Sequence, residues 1–221
     1  MIVALTTEET QEMFLYIARQ VLANQSLLVS LDEGSGSTAY GRELADGFNA
    51  ILSNLSQQRP FHINDIFQNS GISMLSSTSG FSGTLFGAFF LSGMRGMPVI
   101  KRLTAKKLAL IFAKSLQTLK AWEGVRTDAK IMLYAFEAAV LAFAHSAQEG
   151  DTLLQALQAG EISAKEVMEH MQHYQTGFDS AAGVRNNVVA YPDPGAATVW
   201  LILKSMREWV ASLEKSSNGL N

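Results

Sequence analysis

The sequence contains no cysteine, which excludes disulfide staples, zinc–thiolate sites and thiol catalysis and fits a reducing compartment. It has no surplus of positive charge either: 17 Lys and Arg stand against 20 Asp and Glu, for a net charge of −3. Apart from KRLTAKK at residues 101–107 no basic block stands out, so nothing offers a field for a phosphodiester backbone and nucleic acid is not expected as a partner. No window reaches about eighteen uninterrupted apolar residues, the length that would suggest a membrane span. The stretch IMLYAFEAAVLAFAH from Ile131 is broken by Glu137 and reads as a core helix. The opening MIVALTTEETQEMF soon turns polar and carries no basic lead, unlike a secretory signal. These absences together describe a soluble cytoplasmic protein without a membrane partner. Strand-like alternation, internal repeats and linkers are missing as well, so residues 1–221 are expected to form one domain, with a frayed tail at 216–221.

What is present is helical periodicity. Thr6 and Glu9 are spaced as a capping box, and Phe14, Ile17, Val21 and Leu22 then share a face, predicting a helix from about Glu8 to Gln25. A second helix is expected from Tyr40 to about Gln57, ahead of Pro60, and a third over Ile63 to Ser76. Gly80 opens GFSGTLFGAFFLSGMRG, whose small and aromatic residues suit a tightly packed helix with Phe86, Phe89 and Phe90 buried. Thr104 caps a helix striped by Leu108, Ile111, Phe112, Leu116 and Leu119. Another runs from Ala129 to Gln148, stopped by Gly150 and Asp151, which are also expected to cap the next. TLLQALQA is expected as a short helix ended by Gly160, and Ser163 with Glu166 as the capping box of the next. The last helix starts near Pro194. The fold class is therefore all-α, a bundle of about eight amphipathic helices.

Four small clusters precede helices: LDEGSGSTAYG, STSGFSG, RTDAKIML and AYPDPGA. Helix N-termini present unpaired N–H groups and partial positive charge, glycine admits close approach, and Ser or Thr adds a donor, so such clusters suit anions. Each alone reads equally as a capped loop. Ser82 and Gly83 suit a phosphate, while Gly83 and Gly87 at i, i+4 equally suit close helix packing, and Asp193 before Pro194 serves as a helix cap. His170 and His173 have the spacing of a chelating pair but lack a third ligand and read as surface residues. GMRGMP at 93–98 reads as a Met-lined turn or a lid, and KRLTAKK as a solvated helix start.

Taken in order, the clusters resemble the nucleotide-binding, L-type subunit of bacterial dihydroxyacetone kinase, the DhaL-like family. Its first motif, L-D-x-x-x-G-D-x-D-H-G with a later G-F, matches Leu31, Asp32, Gly36, Gly41, Gly47 and Phe48. Its G-x-S-G-x-L-[YF]-G-x-F-F matches Gly80, Ser82, Gly83, Leu85, Phe86, Gly87, Phe89 and Phe90, and its D-P-G-A matches Asp193 to Ala196. The resemblance implies an all-α barrel of eight helices with ADP or ATP and two Mg²⁺ held by loops at one end. The nucleotide would be bound by Tyr40, Gly80, Ser82, Gly83, Met132 and Asp193. Of the three metal-binding aspartates the resemblance implies, only Asp32 is kept. Ser37 and Ala39 stand at the other two positions, and Tyr40 replaces the histidine.

Mg²⁺ demands near-octahedral oxygen coordination, usually carboxylates together with phosphate oxygens. Alanine supplies none, so binding of the Mg-nucleotide is expected to be weak or absent. Further departures fall in the third cluster, where Lys130, Met132 and Leu133 persist but Ile131 and Tyr134 replace a threonine and an aspartate. Glu33 matches no ligand position, Asp128 stands one place off the motif, and Arg185 is a candidate for a missing arginine element. Two functions follow from the resemblance. One is a phosphotransferase subunit that carries nucleotide to a separate dihydroxyacetone-binding subunit, with catalytic residues unassigned. The other is a non-catalytic paralogue acting as a binding or regulatory partner.

Overall fold

The computed structural model describes residues 2–33, 39–122, 130–181 and 192–218. Side chains within these segments are described except at Glu33, Lys130, residues 171–181, Ser217 and Asn218. Nine helices occur among the described residues: α1 Thr7–Ala23, α2 Gln25–Glu33, α3 Ala39–Gln57, α4 Ile63–Ser77, α5 Phe81–Ser92, α6 Ala105–Lys120, α7 Lys130–Glu149, α8 Leu153–Ala181 and α9 Pro194–Asn218. Two short strands, β1 Ala4–Leu5 and β2 Leu103–Thr104, pair antiparallel and bring the start of α1 beside the start of α6.

Local chemistry explains most boundaries. Thr6 Oγ1 accepts from Glu9 N–H while the Glu9 carboxylate accepts from Thr6 N–H, the reciprocal pair the sequence predicts. Thr104 accepts from Lys107 N–H and caps α6. Gly150, at φ 91, stops α7 in a conformation other residues avoid. The cap of α8 is Thr152 with Gln155 rather than Asp151, which instead accepts a hydrogen bond from Ser146 Oγ at 2.6 Å.

Two further expectations are corrected. The first helix does not run on to Gln25: Asn24 closes α1, and its carbonyl accepts from Leu28 N–H to begin α2. Asp32 therefore lies in the last turn of a helix, anchored by buried Leu28 and Leu31, and not in a loop. Secondly, Gly160 does not end a helix, and Ser163 opens none; α8 passes through both without a break. A Cβ at Gly160 would come within 3.2 Å of the Ala139 carbonyl and 3.4 Å of Phe143 Cβ, so this glycine lets α8 lie close on α7. Packing decided the position that local propensity assigned to a stop. At the other end of the chain, α9 extends from Pro194 to Asn218.

The helices close a ring. Contacts run α1 to α3, α4, α5, α6, α7 and α9, and α9 returns to α1. Outside that circuit α2 packs on α3 and α9, and α8 packs on α7 and α9. Apolar side chains from every ring helix join in one core. At its centre Phe89 stacks on Phe136 with ring centroids 4.4 Å apart and also meets Phe90 and Phe112. Phe86, Phe89 and Phe90 are buried, as expected. A void of about 20 Å³ remains among Phe14, Phe89, Phe112, Phe136, Val199 and Met206.

The helix Ile131–Glu149 is long and apolar enough to cross a membrane by length and composition alone. Here it lies in the ring, between α6 and α9, with Ala135, Phe136, Ala139 and Phe143 turned into the core.

Candidate functional site at the rim of the barrel

The site grows out of three helix starts that meet at one rim. Asp32, at the end of α2, is 4% exposed, and its Oδ2 accepts the Tyr40 N–H at 3.0 Å. That bond spans the segment 34–38 and serves one of the unpaired donors in the first turn of α3. Tyr40 then reaches across to α9, its hydroxyl 2.8 Å from Thr198 Oγ1. Since Thr198 gives its own proton to the Pro194 carbonyl, Tyr40 is the donor. Burial drives the Tyr40 hydroxyl far above the ordinary phenol range, and the charges of Asp193 and Asp32 add to that. Tyr40 is a neutral donor at physiological pH.

Asp193 caps α9: its Oδ1 accepts Ala196 N–H at 2.7 Å, and its carbonyl accepts Ala197 N–H at 2.9 Å. Two positions on, Gly195 lets α9 rest on Met132 of α7. A Cβ there would fall 2.7 Å from Met132 Cβ and 2.9 Å from its sulfur. Met132 itself is buried.

The third start is that of α5, whose N-cap is Gly80. Ser82 is buried, and its hydroxyl lies 3.4 Å from Glu43 Oε2, an acid one turn along α3 from Tyr40. Glu43 sits so close to Gly80 that a Cβ there would fall 1.4 Å from Oε2. At Gly83 a Cβ would fall 2.0 Å from Thr78 Oγ1, so the glycine makes room for the threonine side chain. Gly87 is a packing residue, since it and Gly71 bring α5 and α4 together: a Cβ at Gly71 would meet the Gly87 carbonyl at 2.7 Å.

Of the residues singled out from sequence, Asp32, Tyr40 and Asp193 are thus electrostatically coupled, Met132 lies under the first turn of α9, and Gly80, Ser82 and Gly83 stand at the α5 start. Ala39 is exposed at the first position of α3. Ser37, Asp128 and Arg185 lie outside the described residues, as do the side chains of Glu33, Lys130 and His173. His170 is exposed, with Nδ1 2.7 Å from the Glu166 carbonyl. Among the described residues no three His, Asp or Glu side chains converge on a single metal position. The segment 93–98 forms a tight turn with Gly96 at φ 68 and Met94 tucked into the core.

Sequence reasoning missed Glu43, Thr78 and Thr198. A helical projection holds a signal for two of them: Glu43 follows Tyr40 by three places and Thr198 follows Pro194 by four, so each shares a face with a residue already singled out.

A closed ring of helices, with the starts of α3, α5 and α9 gathered at one rim, defines an all-α barrel whose candidate site lies at that end. The chain belongs to the DAK2 domain family, which matches residues 40–208. Within it the chain is DhaL-like. It is 24% identical over 179 residues to the ADP-binding subunit DhaL of the PEP-dependent dihydroxyacetone kinase of Escherichia coli K12, covering 81% of this chain and 85% of that one. It is also 24% identical over 188 residues to an ADP-binding subunit DhaL of PEP-dependent dihydroxyacetone kinase 1 from Listeria innocua, covering 85% and 88%. Among solved structures, the native dihydroxyacetone kinase of C. freundii superposes with a TM-score of 0.64 at 20% identity over 90% of this chain. The same enzyme in complex with AMP-PNP and Mg²⁺ gives 0.63, also at 20% identity and 90% coverage. This chain spans about a third of that kinase, 34% and 33% of its length in the two structures.

Proposed function

We propose that this chain is the nucleotide-binding type of subunit of a dihydroxyacetone kinase, working with a separate dihydroxyacetone-binding subunit in the cytoplasm, and that its Mg-nucleotide site is weakened. Membership of the DAK2 family and the DhaL relatives support the first part. The shared core of the described helices supports treating residues 1–221 as one domain. In this reading the ligand is ADP or ATP, with its phosphates toward Gly80, Ser82 and Gly83 and its remainder toward Tyr40, Met132 and Asp193.

The observation that carries the second part is the use Asp32 is put to. Its Oδ2 holds the Tyr40 N–H, Tyr40 is itself tied to Thr198, and position 39 is an alanine with no donor atom. These residues do not fit the family's pair of Mg²⁺ ions, which need several carboxylates to balance four positive charges. Phosphoryl transfer at this site would lack that charge balance. Positioning and charge neutralisation are nearly all that a protein contributes to that reaction, so the loss bears directly on rate.

The same observation favours a second reading, a non-catalytic paralogue that keeps the barrel as a binding or regulatory partner. Calorimetric titration with ADP, with and without Mg²⁺, separates the two. The first reading expects measurable ADP binding with little gain from Mg²⁺, and the second expects none. Tight, strictly Mg²⁺-dependent binding by the native chain would overturn the weakened site.

A further inference from the structure

We propose that Glu43 is a built-in competitor for the phosphate end of the site: its carboxylate occupies the approach to the α5 N-terminus and must leave before an anion can enter. The inference rests on the reading of that terminus as the phosphate end. It adds an occupant that the lost aspartates do not predict.

Three observations converge on it. The first is the contact with Gly80, where Oε2 lies on the Cα face so closely that any side chain at position 80 would collide with it. The carboxylate occupies space that glycine alone leaves open. The second is Ser82, 5% exposed, whose hydroxyl is directed at the same Oε2 across 3.4 Å. A phosphate oxygen using Ser82 has to take the place of that oxygen. The third is electrostatic. A helix N-terminus stabilises one negative charge through its unpaired N–H groups and dipole, and Glu43 supplies such a charge from within the protein. Asp32 and Asp193 charge the same rim, since both act on Tyr40. An incoming diphosphate thus meets a like charge at the position where it needs a donor, and like charges at close range disfavour binding.

Glu43 therefore tunes the site towards low anion affinity independently of metal. A cation-bearing partner that draws the carboxylate out, such as an Arg or Lys side chain presented at the rim, would open the terminus.

The test is calorimetric titration with ADP and with inorganic pyrophosphate, in EDTA so that metal plays no part, of native protein, Glu43→Gln and Glu43→Ala. Glu43→Gln keeps the shape and removes the charge, so it decides the matter if the alanine variant folds poorly; melting temperatures monitor both. Affinity is expected to rise about two- to fivefold in each variant, the usual reach of one carboxylate at a helix N-terminus. Unchanged affinity in both variants, or no detectable binding by either, overturns the inference. So does tighter Mg²⁺-dependent binding by the native chain than by Glu43→Gln, which would make Glu43 a metal ligand. Ser37→Asp with Ala39→Asp, retaining Glu43, tests the metal defect separately. A gain there with none at Glu43 overturns the competitor and leaves the nucleotide reading intact. Tighter pyrophosphate binding at Glu43→Gln without any binding of ADP upholds the competitor and overturns the nucleotide reading.

Discussion

Burial, opposed by the Thr198 hydrogen bond and reinforced by the charges of Asp193 and Asp32, makes Tyr40 bind its proton more tightly in the folded state than in the unfolded chain, where tyrosine titrates near ~10. The resulting stabilisation is fully present below that pH and is lost as the pH rises above it. Tyr40→Phe should cost about 0.5–1.5 kcal/mol at neutral pH, the net worth of one hydrogen bond. The gap between native and variant in urea unfolding should narrow above about pH 10. Tyr16 is shifted the same way by burial and Glu208, so the difference between the two proteins, and not the native curve alone, isolates Tyr40. A constant gap across that range would show that the hydroxyl is not buried as described. Asp193→Ala removes the acceptor for Ala196 N–H and should cost about 1 kcal/mol as a lost N-cap.

Among the elements, α4 and α5 are set by glycine against glycine. At Gly71 a methyl would meet a backbone carbonyl at 2.7 Å and the Leu91 side chain at 2.8 Å, so the helices themselves must part. Gly71→Ala is expected to destabilise by about 1–3 kcal/mol, the range for overpacking a core. Gly80→Ala meets only the far end of Glu43, which can swing away, and its stability should stay within about 0.5 kcal/mol of native. Equal losses from the two, measured as denaturant midpoints, would mean that Glu43 is held as firmly as backbone. The contrast also explains what was legible. Capping at Thr6 and Thr104 and the end at Gly150 depend on residues a few places apart and could be read directly. Gly160 looked like a stop because its partner Ala139 belongs to another helix.

For the whole molecule, ring closure brings the aromatic cluster together. Phe89 is 5% exposed and stacks on Phe136 beside the existing void. Truncating it to Ala should cost about 3–5 kcal/mol, the usual range for a buried aromatic. A loss under about 1 kcal/mol would mean that the ring closes over the gap.

By itself the sequence determined the all-α class, most helix starts and the family, because period, caps and glycine-bearing motifs are local and survive divergence elsewhere. Only the tertiary structure decided how the rim is used. Tyr40 meets Thr198 across 158 residues, and Glu43 meets Ser82 across 39. Neither pair has a local pattern that requires it. Asp32 shows the division within one side chain: its motif position is visible in the sequence, but its hydrogen bond to Tyr40 N–H exists only because α2 is a helix ending beside the first turn of α3. Glu43 shows it more sharply. It is an unremarkable acid on an amphipathic helix until packing of α3 beside α5 sets it on Gly80, where charge and shape decide what else can enter.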